Sequence, residues 1–287
     1  MLFICPTPIG NLQDVTLRVL EILRTADLVA CEDTRHTKIL LDRHGITART
    51  VSFHNFNEEQ RLATILPLLR EGRDVAVVSD AGMPGLSDPG FTLVRSCAEE
   101  GLPVTVLPGP SAVPTALVLS GLPADRFAFL GFFARSRAKI IEQLLAFEGS
   151  GAALVAFESP RRIRRTLDAI GVRWPDRRMA VCRELTKVHE EVVRGTAEEI
   201  LSLLDEKVRG EIVVVAEPSP TGGTVGRSGV GSPGVGDVEE RARAALADLA
   251  RLGVGTKAAS GIVSRLTGLP ARRTYELSVE GRGRGNE

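Results

Sequence analysis

The chain has 287 residues, 43% hydrophobic and 25% charged, which is the balance of an ordinary soluble globular protein with room for two domains. Its 36 Lys and Arg residues match its 36 Asp and Glu residues, so a protein coated in positive potential is excluded, although a local basic face for nucleic acid is not. No run approaches the roughly 20 apolar residues of a membrane span. The N-terminus lacks the basic region of a signal peptide, so we expect a cytoplasmic protein. The four cysteines are dispersed and form no CxxC pair, which predicts buried free thiols.

Short β-branched runs alternate with helical patterns along residues 1–112, the predicted N-terminal domain. The segment after the first run, for example, places Leu17, Leu20 and Leu23 on one helical face. Alternation of strand and helix predicts a largely parallel sheet that is covered on both faces. The predicted strands are Leu2–Cys5, Leu28–Cys31, Val51–His54, Val75–Ser79 and Val104–Leu107, and the predicted helices are Thr16–Thr25, Glu58–Glu71 and Gly90–Gly101.

The same alternation resumes over residues 113–218, which predicts a second α/β domain. Thr196 and Glu199 have the spacing of a capping box, which marks the start of a helix. The predicted strands are Phe127–Gly131, Ala153–Phe157, Met179–Arg183 and Ile212–Ala216, and the predicted helices are Ser136–Phe147, Ser159–Ile170 and Thr196–Leu204.

Residues 219–237 are rich in Gly, Ser and Pro and have no periodicity, which predicts a flexible linker. Residues 238–287 then form a predicted small helical module with a basic bias. Its predicted helices are Glu239–Leu252, Lys257–Leu266 and Arg272–Val279. A basic module on a tether would attract RNA without regard to base sequence.

Several common catalytic signatures are missing from the sequence. It contains no GxGxxG dinucleotide fingerprint, no GxxxxGK[ST] phosphate loop, no HExxH zinc motif and no GxSxG nucleophile elbow. These absences disfavour a nicotinamide enzyme, a P-loop NTPase, a zinc hydrolase and a serine esterase, and no metal site is predicted.

Polar clusters made rigid by Gly or Pro follow most of the predicted strands. Any one of them is compatible with an ordinary turn, but ligands of open α/β sheets bind beyond the carboxyl ends of the strands, where these clusters would gather. Gly82 and Gly109 would allow a ligand to approach the backbone, and Asp80 could accept from hydroxyl or ammonium groups. The clusters are Pro6–Asn11, Glu32–Arg35, Ser79–Gly90, Pro108–Ala112, Glu158–Pro160 and Arg183–Lys187.

The segments PTPIGNLQDVTLR, EDTR, SDAGMPGLSDPG, PGPSA and RELTK, in this order and spacing, resemble the tetrapyrrole-methylase-like superfamily. More narrowly, they look like its branch of 16S ribosomal RNA ribose 2′-O-methyltransferases, which modify a cytidine in the decoding region. The resemblance covers about residues 3–218, and GTKAASGIVSRLTGLPARRTYELS continues it weakly in the tail. Met83 stands where the family is expected to have Thr, residues 134–143 are less Lys-rich, and the linker is longer.

The resemblance implies two α/β domains with S-adenosylmethionine in the cleft between them, a small C-terminal helical module, a homodimer, and 16S rRNA of the small ribosomal subunit as the partner. It implies that the cofactor is bound by Ser79, Asp80, Ala81, Gly82, Pro84, Ser111, Ala112, Phe157, Glu158 and Leu185.

Methyl transfer to a 2′-oxygen needs alignment and a nearby base. Candidate bases are Glu32, Asp33, Glu184 and Lys187, and Lys187 would need a depressed pKa. The alternatives are an i,i+3 surface pair of Glu184 with Lys187 and a structural ion pair of Glu32 with Arg35. Candidate RNA contacts are Asn11, Arg35, His36, Lys38, Arg161, Arg162, Arg164 and Arg165, of which the last four could also form a solvated helix face.

Two other functions compete with rRNA methylation. A corrin-precursor methyltransferase of the same fold is disfavoured because such proteins carry a Gly-Pro-Gly-Asp-Pro first loop, where this chain has Pro-Thr-Pro-Ile-Gly-Asn. A non-catalytic RNA-binding protein of this fold is disfavoured by the intact set of loops, and failure to bind the cofactor would support it.

Overall fold

A computed structural model describes residues 1–218, 235–251 and 254–283. The chain divides into two compact units, residues 1–223 and 224–287. Most of the predicted linker lies outside the described residues. Its last three residues, 235–237, belong instead to the helix that opens the second unit.

The first sheet is entirely parallel, as predicted, and its strand order is β3-β2-β4-β1-β5. The central β4 is fully buried because helices cover both faces, which explains its unbroken apolar run. Leu2 pairs with Val75 on one side and with Val104 on the other. The strands are β1 Leu2–Ile4, β2 Leu28–Cys31, β3 Thr50–Ser52, β4 Val75–Val78 and β5 Val104–Val106.

Four helices and a short 3₁₀ turn at Leu12–Asp14 connect these strands. The Thr16 hydroxyl caps the first helix by accepting from the Val19 amide. Thr34–Arg43 is a helix that the sequence pattern did not predict, and the Asp33 carboxylate caps it by accepting from the Arg35 amide. The helices are α1 Leu17–Thr25, α2 Thr34–Arg43, α3 Glu58–Arg70 and α4 Phe91–Glu99.

The second sheet has the order β6-β7-β10-β8-β9 and is mixed. The β6–β7 pair is parallel, whereas the β7–β10, β10–β8 and β8–β9 pairs are antiparallel. The parallel arrangement predicted for the first sheet does not extend to this one, because burial of both faces gives long apolar runs in either strand direction. The strands are β6 Phe127–Phe132, β7 Ala153–Glu158, β8 Met179–Arg183, β9 Glu191–Gly195 and β10 Ile212–Ala216.

Four helices cover the second sheet, and one of them, Ala112–Ser120, was not predicted. The predicted capping box is present, because the Thr196 hydroxyl accepts from the Glu199 amide and the Glu199 carboxylate accepts from the Thr196 amide. The helices are α5 Ala112–Ser120, α6 Arg137–Leu145, α7 Ile163–Arg173 and α8 Ala197–Leu203.

The described residues of the second compact unit form three helices: α9 Val235–Arg251, α10 Thr256–Thr267 and α11 Ala271–Gly283. They enclose a small core that includes Ala242, Leu246 and Val263. Arg273 pairs with Glu239, Glu276 and Glu280. Acidic side chains therefore offset part of the positive charge that was predicted for this module.

All four cysteines are free and buried, as predicted. Burial raises the pKa of the Cys5 thiol to about 12, which keeps it protonated and unreactive at neutral pH. Within the described ranges, no helix is both long and apolar enough to cross a membrane.

Candidate functional site

A cleft of about 450 Å³ lies where the polar loops of the two sheets meet. From the first sheet, its lining residues follow β1, β2, β4 and β5. From the second sheet, they come from the ends of β6, β7 and β8 and from the start of β10. The lining residues are Ile9, Glu32, Asp80, Ala81, Gly82, Met83, Leu86, Ser87, Asp88, Ser111, Ala112, Val113, Phe132, Phe157, Glu158, Ser159, Pro160, Leu185, Gly210, Glu211, Ile212 and Val213.

Backbone pairing holds the loop after β4 in place. Thr7 and Gly82 exchange two backbone hydrogen bonds of 2.9 Å, and the Thr7 hydroxyl donates to the Ser79 carbonyl at 2.9 Å. The buried Ser79 hydroxyl donates to the carbonyls of Gly82, at 3.2 Å, and Ala81, at 3.4 Å. Gly82 has a φ of +81°, which a side chain would disfavour. The loop is therefore fixed before any ligand arrives.

Three carboxylates from neighbouring strand ends gather at one side of the cleft. Asp80 accepts a 3.1 Å hydrogen bond from the Asp33 amide, and its own amide faces the Glu32 carboxylate at 3.5 Å. Asp88 comes from the second acidic turn of the same loop. Burial, with the charge of Glu32 and Asp80, raises the pKa of Asp88 to about 6. This side of the cleft is consequently suited to a cation.

The charge of the whole lining also favours a cationic ligand. Its five acidic residues are Glu32, Asp80, Asp88, Glu158 and Glu211, and it contains no Lys, Arg or His. Glu158 pairs with Arg162 at 3.1 Å and Glu211 pairs with Lys187 at 2.9 Å, both partners lying outside the lining. A polyphosphate would meet strong repulsion here.

The opposite side of the cleft is apolar and aromatic. The rings of Phe132 and Phe157 meet edge to face, with their centroids 5.5 Å apart, and Leu185 and Val213 lie beside them in the lining. Such a surface suits a flat, largely apolar ring system.

Eight of the ten residues predicted to bind the cofactor line this cleft. Ser79 and Pro84 are the exceptions: both are buried, and Ser79 shapes the loop instead. Glu158 lines the cleft, but its fully buried carboxylate accepts from the Ser159 amide at 2.7 Å, from Arg162 at 3.1 Å and from the Thr166 hydroxyl at 2.5 Å. Its side chain therefore holds the start of α7.

Of the four candidate bases, Glu32 lines the cleft. The guanidinium of Arg35, bound to the Asp33 carboxylate at 2.6 Å, holds the pKa of Asp33 well below its usual range. Arg35 thus pairs with Asp33 and not with Glu32, the alternative partner that the sequence suggested. A carboxylate held so firmly as an anion is a weak base.

Glu184 and Lys187 lie in a second, more open cleft that also includes Asn11. The Lys187 ammonium donates to Glu184 at 2.8 Å and to Glu211 at 2.9 Å. Burial alone would lower the pKa of Lys187, but these two hydrogen bonds outweigh it and raise the pKa. A base at this position needs the opposite shift, so the geometry makes Lys187 a bridging cation.

Close packing joins these two loops. A Cβ on Gly10 would lie 2.5 Å from Cγ of Lys187 and 2.7 Å from the Leu185 carbonyl, and the Asn11 amide donates to the Thr186 hydroxyl at 3.0 Å. Glu184 and Thr186 have φ values of +52° and +65°, which is strained for residues with side chains. The loop after β8 is thus held in an unusual conformation against the loop after β1.

The basic run 161–165 divides into two kinds of residue. Arg162 donates to the carbonyls of Phe133 at 2.6 Å and Ala134 at 2.8 Å, besides its pair with Glu158. Arg164 donates to the Leu204 carbonyl at 3.0 Å. Arg161 and Arg165 are exposed. On α2, Arg35, His36 and Lys38 are exposed as well, and Lys38 pairs with Asp42 at 3.4 Å.

Several lining residues were not predicted as site residues. Asp88 had a signal, since the Ser-Asp-Pro-Gly turn repeats the acidic pattern that starts at Ser79. Met83 was noted only as a departure from the family. Neither Phe132 nor the segment 210–213 belongs to a polar, Gly- or Pro-rich cluster that follows a predicted strand, so the sequence did not distinguish them from ordinary strand ends.

One compact unit thus holds two α/β sheets, with a cleft of strand-end loops where they meet. The family model "Tetrapyrrole (Corrin/Porphyrin) Methylases" matches residues 1–201. Three curated relatives share the name "Ribosomal RNA small subunit methyltransferase I". The Thermotoga maritima relative is 45% identical over 75% of this chain and 96% of its own length. The Hydrogenobaculum relative is 43% identical over 77% and 96%, and the Synechocystis relative is 38% identical over 98% of both.

The chain therefore belongs to the tetrapyrrole methylase family, in the branch whose curated members are called small subunit ribosomal RNA methyltransferase I. Solved structures support the fold. A diphthine synthase matches with a TM-score of 0.60 and 18% identity over 75% of this chain and 89% of its own. A uroporphyrin-III-C-methyltransferase from Thermus thermophilus matches with a TM-score of 0.53 and 22% identity over 75% and 93%.

Proposed function

We propose that this protein uses S-adenosylmethionine to methylate 16S rRNA of the small ribosomal subunit, at the ribose 2′-oxygen of a cytidine in the decoding region. The observation that carries the proposal is the cleft, which has an uncompensated acidic side and an aromatic side. The relatives' shared name supports rRNA as the substrate. The ribose position and the nucleotide rest on the family resemblance.

The residues present fit this cofactor. Ala81, Gly82, Ser111 and Ala112 are small and let the backbone approach a ligand. Asp80 is suited to bind ribose hydroxyls or an α-ammonium group, and Phe157 with Leu185 is suited to the adenine ring. The volume of about 450 Å³ is in the usual range for small-molecule sites.

The cofactor, when bound, supplies a methyl group already activated by a positive sulfur. The protein has to hold the 2′-oxygen in line with that methyl group and to accept its proton. We assign the proton to Glu32, because Glu32 lines the cleft while Asp33, Glu184 and Lys187 are each engaged in ion pairs. We assign phosphate contacts to the exposed Arg161 and Arg165.

The family resemblance also implies a homodimer, which sedimentation velocity of the full chain would test. The function itself is tested with radiolabelled S-adenosylmethionine and small ribosomal subunits from a strain that lacks the modification, with the label mapped by mass spectrometry. Label on a decoding-region cytidine ribose supports the proposal. Label on a base or on another RNA segment contradicts the assigned position. Cofactor binding without label would contradict rRNA as the substrate.

Glu32→Gln provides the matched variant, since it keeps the shape and removes the base. At saturating cofactor we expect the rate of methyl transfer to fall about 10²-fold or more, the usual contribution of general base catalysis, while the cofactor still binds with an affinity lowered by the loss of one negative charge. Asp33→Asn is the control at the adjacent position. A Glu32→Gln rate within about twofold of the wild type would contradict the assignment of the proton, because such a change is far below that contribution.

A further inference from the structure

Asp88 lies in the second acidic turn of the loop after β4, Ser87-Asp88-Pro89-Gly90. It follows Ser87, whose φ of +68° is strained for a residue with a side chain. Both residues line the cleft. Gly85 and Gly90, at φ +83° and +131°, allow the tight turns on either side. The backbone is therefore bent at some cost so that this turn reaches the ligand site.

The groups that surround Asp88 come from several elements. Glu32 follows β2, while Asp80 and the hydroxyl of Ser79 follow β4, and all three influence the Asp88 carboxyl. The nearby cation Arg35 is bound to Asp33 at 2.6 Å. Glu58 of α3 accepts from the Gly90 amide at 3.3 Å. Among the lining residues, no side chain neutralises the cluster of Glu32, Asp80 and Asp88.

A methyl transfer changes the charge of the ligand in such a site. S-adenosylmethionine carries a positive sulfur that S-adenosylhomocysteine, the product, lacks, whereas the ammonium, carboxylate, ribose and adenine groups are common to both. A cluster of carboxylates in a partly enclosed cleft would therefore stabilise the donor more than the product.

We propose that Asp88, with Glu32 and Asp80, makes the cleft selective for the charged methyl donor over its neutral product. The proposal rests on the proposed function, because it requires S-adenosylmethionine as the cofactor. It assigns Asp88 to ligand discrimination, distinct from the proton acceptance assigned to Glu32.

The sign of the pH dependence follows from the pKa of Asp88, which is about 6 in the free protein. Below that pH the carboxyl is neutral and gives no preference for a cation. Above it the carboxylate forms and donor binding strengthens, while product binding changes less. A bound sulfonium lowers this pKa, so donor binding near pH 6 displaces the proton.

The test is isothermal titration calorimetry of the full-length protein with S-adenosylmethionine and, separately, S-adenosylhomocysteine. Titration at about pH 6, in two buffers of different ionisation enthalpy, gives the number of protons released. For the donor we expect about half a proton, the occupancy at a pH equal to the pKa, and for the product close to none. The donor-to-product affinity ratio should rise from about pH 5 to pH 8, across this pKa.

Asp88→Asn keeps the shape and removes the charge. We expect its donor-to-product affinity ratio above pH 7 to be about tenfold below the wild-type ratio, the effect of one charge in a partly solvated site, and its proton release to vanish. Product binding by the variant checks that the cleft is intact. Asp125→Asn, the same change at an exposed position outside the cleft, is the matched control and should leave the ratio unchanged.

Equal proton release for both ligands, or an unchanged affinity ratio in Asp88→Asn, would overturn the charge selection while leaving the cofactor assignment intact. Failure of the wild-type protein to bind either ligand would overturn the proposed function, and with it the charge selection that depends on it. The wild-type pH series needs no variant, so a folding defect in Asp88→Asn cannot obscure the result.

Discussion

Replacement of Arg162 by Ala should destabilise the second α/β domain strongly, although the residue lies in an exposed basic run. The change removes a 3.1 Å ion pair with Glu158, whose side chain is 0% exposed, and hydrogen bonds to the carbonyls of Phe133 and Ala134. Loss of one partner of a buried pair costs about 3–5 kcal/mol. The lower end, about 3 kcal/mol, applies because Glu158 keeps two other donors and Arg162 is itself partly exposed.

The single tryptophan provides the assay. Trp174 directly follows the last residue of α7, and Arg162 directly precedes its first residue. The indole nitrogen of Trp174 donates to Glu148 at 3.0 Å. Urea unfolding followed by its fluorescence therefore reports on this domain. Arg161→Ala is the matched control, because the neighbouring side chain is exposed and a surface change should stay within about 0.5 kcal/mol. Free energies of unfolding for the two variants that agree within that margin would refute the structural role of Arg162.

Three further outcomes are expected. Arg165→Ala should reduce the slope of log affinity against log salt for RNA by about 0.7–0.9, measured by filter binding, and an unchanged slope would exclude a phosphate contact. Gly210→Ala places a Cβ 2.2 Å from the Glu184 carboxylate. It should lower the free energy of unfolding in urea by about 1–3 kcal/mol more than Gly72→Ala, since Gly72 also has a positive φ but has open space around it. Equal losses of stability in the two variants would contradict this. Wild-type stability should fall as pH rises through about 6, since the folded state keeps the Asp88 proton longer than the unfolded chain does; a decline of the same size in Asp88→Asn would assign it to other groups.

Sequence periodicity predicted most strands and helices of the first sheet, because the patterns that mark a strand and a helix each lie within a few consecutive residues. The strands are short β-branched runs, and helices such as α1 place Leu20 and Leu23 on one face. The helix α2 escaped prediction because Thr34–Lys38 contains no apolar residue and follows the Glu-Asp pair directly. Its cap at Asp33 was the signal that could have identified it.

In the second sheet, periodicity predicted neither the direction of the strands nor every element. Strands β7, β8 and β10 are apolar and nearly fully buried, so their sequences do not reveal strand direction. The strand β9 was missed because its five residues include Glu191 and Arg194, and only Val193 and Gly195 are buried. The helix α5 is apolar on every side and contains Pro114, so it has no helical face to recognise.

The site was predictable as a set of loops but not as a distribution of charge. Sequence places acidic residues at several strand ends, yet it does not show which of them are neutralised. The structure pairs Glu158 with Arg162, and Glu184 and Glu211 with Lys187. Those pairs fix the start of α7 and the loop after β8. Glu32, Asp80 and Asp88 are left facing the cleft.

This division explains why a chain of zero net charge can hold a strongly acidic cleft. The ion pairs Glu158–Arg162 and Glu184–Lys187 lie within single loops of the second sheet, and Lys187–Glu211 joins two of its loops. The three carboxylates of the cleft come instead from the ends of β2 and β4 and from the turn after them. Burial of Asp88, and after it the negative charges of Glu32 and Asp80, raise the pKa of Asp88 to about 6. A positively charged ligand would relieve this unfavourable environment of the carboxylate. A substitution that neutralises Asp88 should therefore stabilise the folded protein above about pH 6 and lower its affinity for a cationic ligand.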